Sequence, residues 1–102
     1  MYLDIFKNVT DASLLEQTAE ECCELGKACL KIARLLRGES PSPMTKEEAS
    51  EKLTEEFADV LVCMDIMKYK AMVDERDIML QKTFKGNRWR DRLKEKEKEN
   101  GI

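Results

Sequence analysis

Glu21 and Glu24 stand three residues apart, and so do Glu56 and Asp59, each pair inside an apolar stretch of helical period. Residues three apart share a helix face, so each pair projects two carboxylates side by side. If the two helices pack together, four negative charges converge. Such a cluster is costly unless cations neutralise it, and oxygen-rich sites suit Mg²⁺, with Mn²⁺ as a substitute. The chemistry expected from this arrangement is metal-dependent attack on a phosphoryl group.

The elements that must position these side chains are helices. The first is expected from about Asp11 to about Arg37, with Thr10 or Asp11 as N-cap and Gly38 as the stop. Its apolar seam reads Leu15, Thr18, Cys22, Leu25, Cys29, Ile32, Leu36, alternating threes and fours as in helices packed lengthwise. The stretch 38–44, GESPSPM, holds both prolines and reads as the linker. Thr45-Lys46-Glu47-Glu48 then forms a capping box for a second helix. Its seam is Leu53, Phe57, Val60, Met64, Met67, Ala71. A break near Val73, with Asp74 as cap, starts a third helix that turns polar after Gly86.

On these seams each carboxylate immediately precedes a core residue: Glu21 before Cys22, Glu24 before Leu25, Glu56 before Phe57, Asp59 before Val60. Both pairs therefore occupy the same flank of their helices, about 100° round from the core centre. The match between the two helices lifts the pairs above ordinary surface charge.

A chain of 102 residues supports one domain and a modest core. Charged residues make up 38 % of it, but hydrophobic ones reach 42 %, which argues against wholesale disorder. The net charge of −3 conceals a polarity: residues 1–81 carry 10 basic and 17 acidic side chains, residues 82–102 carry 8 and 4. That suits an acidic metal site followed by a basic segment that meets an anion. Nucleic acid is disfavoured as a partner, because most of the chain repels phosphate. The four cysteines form no C-x-x-C pair and read as small buried thiols in a reducing cytosol. With no signal sequence or bilayer-length apolar run, a cytoplasmic protein without membrane attachment is expected. The absence of histidine excludes a di-iron bundle built on Glu-x-x-His and weighs against zinc.

Glu20-Glu21-Cys22-Cys23-Glu24-Leu25 resembles the E-E-x-x-E-L signature of the MazG-like, all-α nucleoside triphosphate pyrophosphohydrolases. Glu56-Phe57-Ala58-Asp59-Val60-Leu61 is similar to their E-x-x-D-V-L element on the next helix. About residues 10 to 92 follow the family's helix order. The resemblance implies an all-α, MazG-like helical bundle over residues 1–93, completed by oligomerisation into a dimer or a dimer of dimers. Residues 94–102 are expected to be a frayed charged tail.

By the same resemblance Glu21, Glu24, Glu56 and Asp59 bind Mg²⁺, and Glu21 or Glu24 takes the proton of the attacking water. Lys82, Asn87 and Arg90 contact the triphosphate. The implied reaction cleaves the α–β phosphoanhydride of a nucleoside triphosphate, giving a nucleoside monophosphate and pyrophosphate. Phe84 is read as a buried residue, and Trp89 is left open between packing and stacking on a base. Two alternatives accompany this reading: a phosphoribosyl-ATP pyrophosphohydrolase-like enzyme, and a non-catalytic helical dimerisation module.

Overall fold

A computed structural model describes residues 2–39 and 44–101. It is all-helical, with no strand among the described residues: a 3-10 helix Tyr2–Asn8, then α1 (Asp11–Leu36), α2 (Lys46–Tyr69) and α3 (Glu75–Glu99). The chain divides into two compact units, residues 1–70 and 71–102.

Each α-helix begins where a short polar side chain satisfies orphan amides. The Thr10 hydroxyl accepts from the Ser13 amide at 3.1 Å, and the Thr45 hydroxyl accepts from the Glu48 amide at 3.1 Å. The Asp74 carboxylate accepts from the amides of Arg76 and Asp77. At the end of α1, Gly38 takes a left-handed φ of 72°, which lacks penalty only without a Cβ. All three expected starts hold. The middle of the expected linker, residues 40–43, lies outside the described residues. The 3-10 helix had no periodic signature in the sequence.

In the first unit α1 and α2 pack antiparallel. The Thr18 hydroxyl lies 3.7 Å from the Met67 sulfur, while further along α1 the Glu21 carboxylate approaches Asp59 and Glu56. The packed stripe of α1 is Leu14, Thr18, Glu21, Leu25, Ala28, Ile32 and Leu35. That of α2 is Ala49, Leu53, Glu56, Val60, Cys63 and Ile66 with Met67. The expected seams are thus corrected in phase. Every other member is replaced by a residue one position earlier, which turns each contact line by about 50°. Leu15, Cys22, Cys29 and Leu36 on α1 and Phe57 and Met64 on α2 are exposed instead.

The physical reason is size as well as polarity. The stripe in use brings Ala28 and Ala49 to the contact line, where small side chains let the backbones approach. It also tolerates one carboxylate from each helix. The cysteine expectation changes with it: Cys63 is buried, but Cys22, Cys23 and Cys29 are exposed.

The two ends of this unit are fastened together. The Lys70 ammonium donates to the Val9 carbonyl and lies 2.9 Å from the Asp11 carboxylate. Tyr2 donates to Asp65 at 3.2 Å, and Tyr69 donates to Asp4 at 3.3 Å. These bonds hold the 3-10 helix against the last turn of α2.

In the second unit α3 runs unbroken through Gly86 to Glu99 and buries none of its residues. Phe84, expected to be buried, is 61 % exposed, because α3 has no second element packed on it within its own unit. Its ring lies 5.9 Å from the Arg88 guanidinium.

Candidate metal centre

The change of phase decides the geometry of the acidic pairs. Glu21 and Glu56, the first member of each, lie on the contact line between α1 and α2 rather than on its flank. Asp59 follows one turn along α2, at the edge of the same line. Carboxylate oxygens of Glu21, Glu56 and Asp59 come within 4.8 Å of one another. Glu56 is buried, Glu21 half-buried and Asp59 exposed, so the cluster opens from the helix interface to solvent.

Glu24 stands outside this trio. Its carboxylate lies 3.4 Å from the Lys27 ammonium one turn further along α1, and its side chain is half exposed. Of the four carboxylates expected to converge, the structure thus brings three together and sets the fourth beside them, a helical turn from Glu21.

Three like charges at this spacing repel, and two contacts offset the repulsion. The Lys52 ammonium sits 2.8 Å from Glu56 Oε1, one turn back along α2. That hydrogen bond, with the charge of Glu56 behind it, raises the Lys52 pKa above its ordinary value, so the ammonium stays charged. The Gln17 side-chain amide donates to Glu21 Oε1 at 2.7 Å, fixing that carboxylate from one turn earlier on α1. Sequence reasoning missed both Lys52 and Gln17. The signal was present in each case as a spacing of four from a ligand candidate.

A groove of about 390 Å³ leads away from the cluster. Glu21 and Asp59 stand at one end, and Phe6, Leu14, Val62 and Ile66 form apolar walls. Cys63 also lines it; burial pushes its thiol pKa up, against a smaller lowering by the Thr18 hydroxyl. The donor set fits a hard divalent cation. It consists of carboxylate oxygens alone, from two rigid helices, with an open side for water or a further oxygen ligand.

Lys82, Asn87 and Arg90 lie on α3, in the second unit, and all three are exposed. Asn87 and Arg90 are three apart and share a face, whereas Lys82 lies about 140° round the helix from Asn87. Asn87 borders a shallow apolar recess with Leu80 and Phe84, and Arg90 lies 3.7 Å from Asp91. Trp89 is exposed. No helix among the described residues is long and apolar enough to cross a membrane.

Comparison with known proteins adds no family: no family model matches this sequence, and neither a curated protein nor a solved structure matches the chain.

Proposed function

We propose that this chain is a Mg²⁺-dependent nucleoside triphosphate pyrophosphohydrolase of the MazG-like, all-α kind. The observation that carries the reading is the meeting of Glu21 with Glu56 and Asp59. These residues belong to the two motifs that resemble the family's, and they come from successive antiparallel helices.

Glu21, Glu56 and Asp59 would hold the cation, with Glu24 beside them. A cation so held supplies Lewis acidity toward phosphate oxygens and makes a coordinated water more acidic. The chain's own side chains do the remainder. Gln17 keeps Glu21 in place through its amide. Glu24, half exposed and outside the trio, accepts a proton as water attacks. The apolar groove beside Glu21 and Asp59 excludes water and accommodates the uncharged part of the substrate. By resemblance, Lys82, Asn87 and Arg90 contact the triphosphate.

Oligomerisation belongs to the same proposal. Phe57, Leu61 and Met64 form an exposed apolar ridge on α2, about 100° round from its contact line with α1. A second copy packed on this ridge would turn two helix pairs into a four-helix bundle.

The deciding experiment measures pyrophosphate release from common and modified nucleoside triphosphates, with Mg²⁺ and with EDTA. Metal-dependent release from some members is expected. Silence from folded protein that binds Mg²⁺ would move the assignment to phosphoribosyl-ATP or an unusual nucleotide. Silence without metal binding would sink the enzyme and leave the helical dimerisation module.

A further inference from the structure

A second stripe runs along α1, one residue on from each member of its contact line and so about 100° round the helix. It carries no charge. Leu15 and Leu36 stand at its ends, with Ala19, Cys22, Gly26, Cys29 and Ala33 between them, all exposed except the half-buried Ala33. Because α1 and α2 run antiparallel, a step of one residue from either contact line leads to the same side of the pair. The stripe therefore lies beside the ridge of Phe57, Leu61 and Met64, and together they make one uncharged face.

The stripe reads alike in both directions from Gly26: Cys22 and Cys29 flank it, then Ala19 and Ala33, then Leu15 and Leu36. Laid antiparallel on a second α1, with a two-fold axis at Gly26, each residue meets its equal in size. Leu15 meets Leu36, Ala19 meets Ala33, Cys22 meets Cys29, and Gly26 meets itself. An interface across a two-fold axis requires this self-complementarity. Within the single chain Gly26 has no steric reason, since a Cβ there would meet nothing within 4 Å, and glycine inside a helix is destabilising relative to alanine. On the axis, its missing side chain lets two backbones approach.

Charge selects the same pairing. Residues 11–25 carry five acidic side chains and no basic one, and residues 26–37 carry four basic and no acidic one. The helix dipole favours these signs only within the first and last turn, whereas the polarity here runs inward to Glu24 and Lys27. Antiparallel pairing sets the acidic half of each α1 along the basic half of the other, with Glu16 beside Arg34 of the second copy. Parallel pairing would set like charges together.

We propose that α1 packs antiparallel on α1 of a second copy about a two-fold axis at Gly26. This rests on the association proposed above, not on the catalytic reading, and gives it a register. Glu24 and Asp59 precede their contact lines by one residue, so the carboxylate cluster opens on the opposite side and stays uncovered.

The test uses the chain's own thiols. Cys22 of one copy meets Cys29 of the other, whereas two Cys22 thiols stand about 10 Å apart along the axis, beyond the roughly 7 Å between Cα atoms that a disulfide spans. The Cys23→Ala/Cys29→Ala and Cys22→Ala/Cys23→Ala variants each keep one exposed thiol, since Cys63 is buried. Under oxidation by copper phenanthroline neither should cross-link alone, and their mixture should give the mixed dimer. At dilutions that separate the copies Cys22, Cys23 and Cys29 all react quickly with a thiol reagent, and rising concentration should slow Cys22 and Cys29.

Glu16→Arg and Arg34→Glu should each weaken dimerisation about tenfold in sedimentation equilibrium, since the axis repeats every contact, and both in one chain should restore it. The two positions lie about 27 Å apart on one helix, so rescue arises only between copies. Gly26→Leu should halve the mass and leave helicity unchanged. Cross-linking within either single-thiol variant, an intact Gly26→Leu dimer or a failed charge rescue would overturn the register and leave association through the Phe57 ridge standing. A wild-type monomer at micromolar concentration would overturn both, while metal-dependent pyrophosphate release is decided separately.

Discussion

Glu56 is 7 % exposed, and its burial is tolerable because the Lys52 ammonium reaches it from one turn away. A group so placed distinguishes ligand from base among the four carboxylates. On the proposed function Mg²⁺ should raise the melting temperature of the wild type, and Glu56→Gln, which would remove a ligand charge, should abolish that response. Glu24→Gln should abolish Mg²⁺-dependent turnover and keep the response, because Glu24 stands outside the trio. A lost thermal response in Glu24→Gln would make it a ligand. The cysteines give a second check at this scale. Cys22, Cys23 and Cys29 are exposed, whereas burial raises the Cys63 pKa above its usual value and keeps the thiol neutral. Titration with a thiol reagent at neutral pH should show three fast groups. The fourth should react only at more alkaline pH or after unfolding, since the thiolate is the reactive form. Four equally fast thiols would contradict the packing of α1 on α2.

At the scale of the element, the helix starts were legible because capping is local chemistry. Thr45 and Glu48 find each other within four residues whatever the rest of the chain does. Thr45→Ala should therefore cost about 1 kcal/mol of stability, measured by urea unfolding; an unchanged midpoint would mean that the start of α2 is held by something else. The phase of the seams was harder to read. Two stripes share Thr18, Leu25 and Ile32 on α1, and the sequence favours the one whose alternate members are apolar, Leu15, Cys22, Cys29 and Leu36. The helices use the other, because Ala28 permits close approach and Glu21, despite the like charges across the interface, is held by the Gln17 amide. The carboxylate spacing was thus visible in the sequence, but the convergence of three groups rather than four was not. It depends on which side of each stripe faces the partner, and one residue of phase moves Glu21 from flank to contact line.

The whole molecule leaves a large share of its apolar residues in water. Phe57, Leu61 and Met64 on α2 are accompanied by Leu15, Leu30 and Leu36 on α1. Chains of this size bury a modest core unaided, and in the proposed assembly this exposed ridge is the surface a second copy would cover. Phe57→Glu is expected to halve the mass seen by light scattering and to lower the melting temperature at low concentration, because a buried partner face is lost. A wild-type protein that is already monomeric at micromolar concentration would remove the four-helix bundle from the proposal. The composition gave this surface away only partly: the excess of apolar residues over the available core was countable, but which helix face carried the surplus followed from the packed phase.

The clasp at Lys70 has a consequence for the order of events during folding. Its contacts, with those of Tyr2 and Tyr69, join residues about sixty positions apart, whereas the α1–α2 hairpin zips outward from its own turn. Loop-closure entropy makes the most distant contacts the last to form and the first to open. Native-state hydrogen exchange should therefore find the amides of Tyr2–Asn8 opening in a low-energy fluctuation that leaves the middle of α1 and α2 protected. Phe6 and Val9 line the groove beside Glu21 and Asp59, so each such fluctuation also unseals one wall of the site. The rate at which a ligand enters or leaves the groove would then be set by the lifetime of an ammonium's hold on one carbonyl and one carboxylate at the far end of the helix pair.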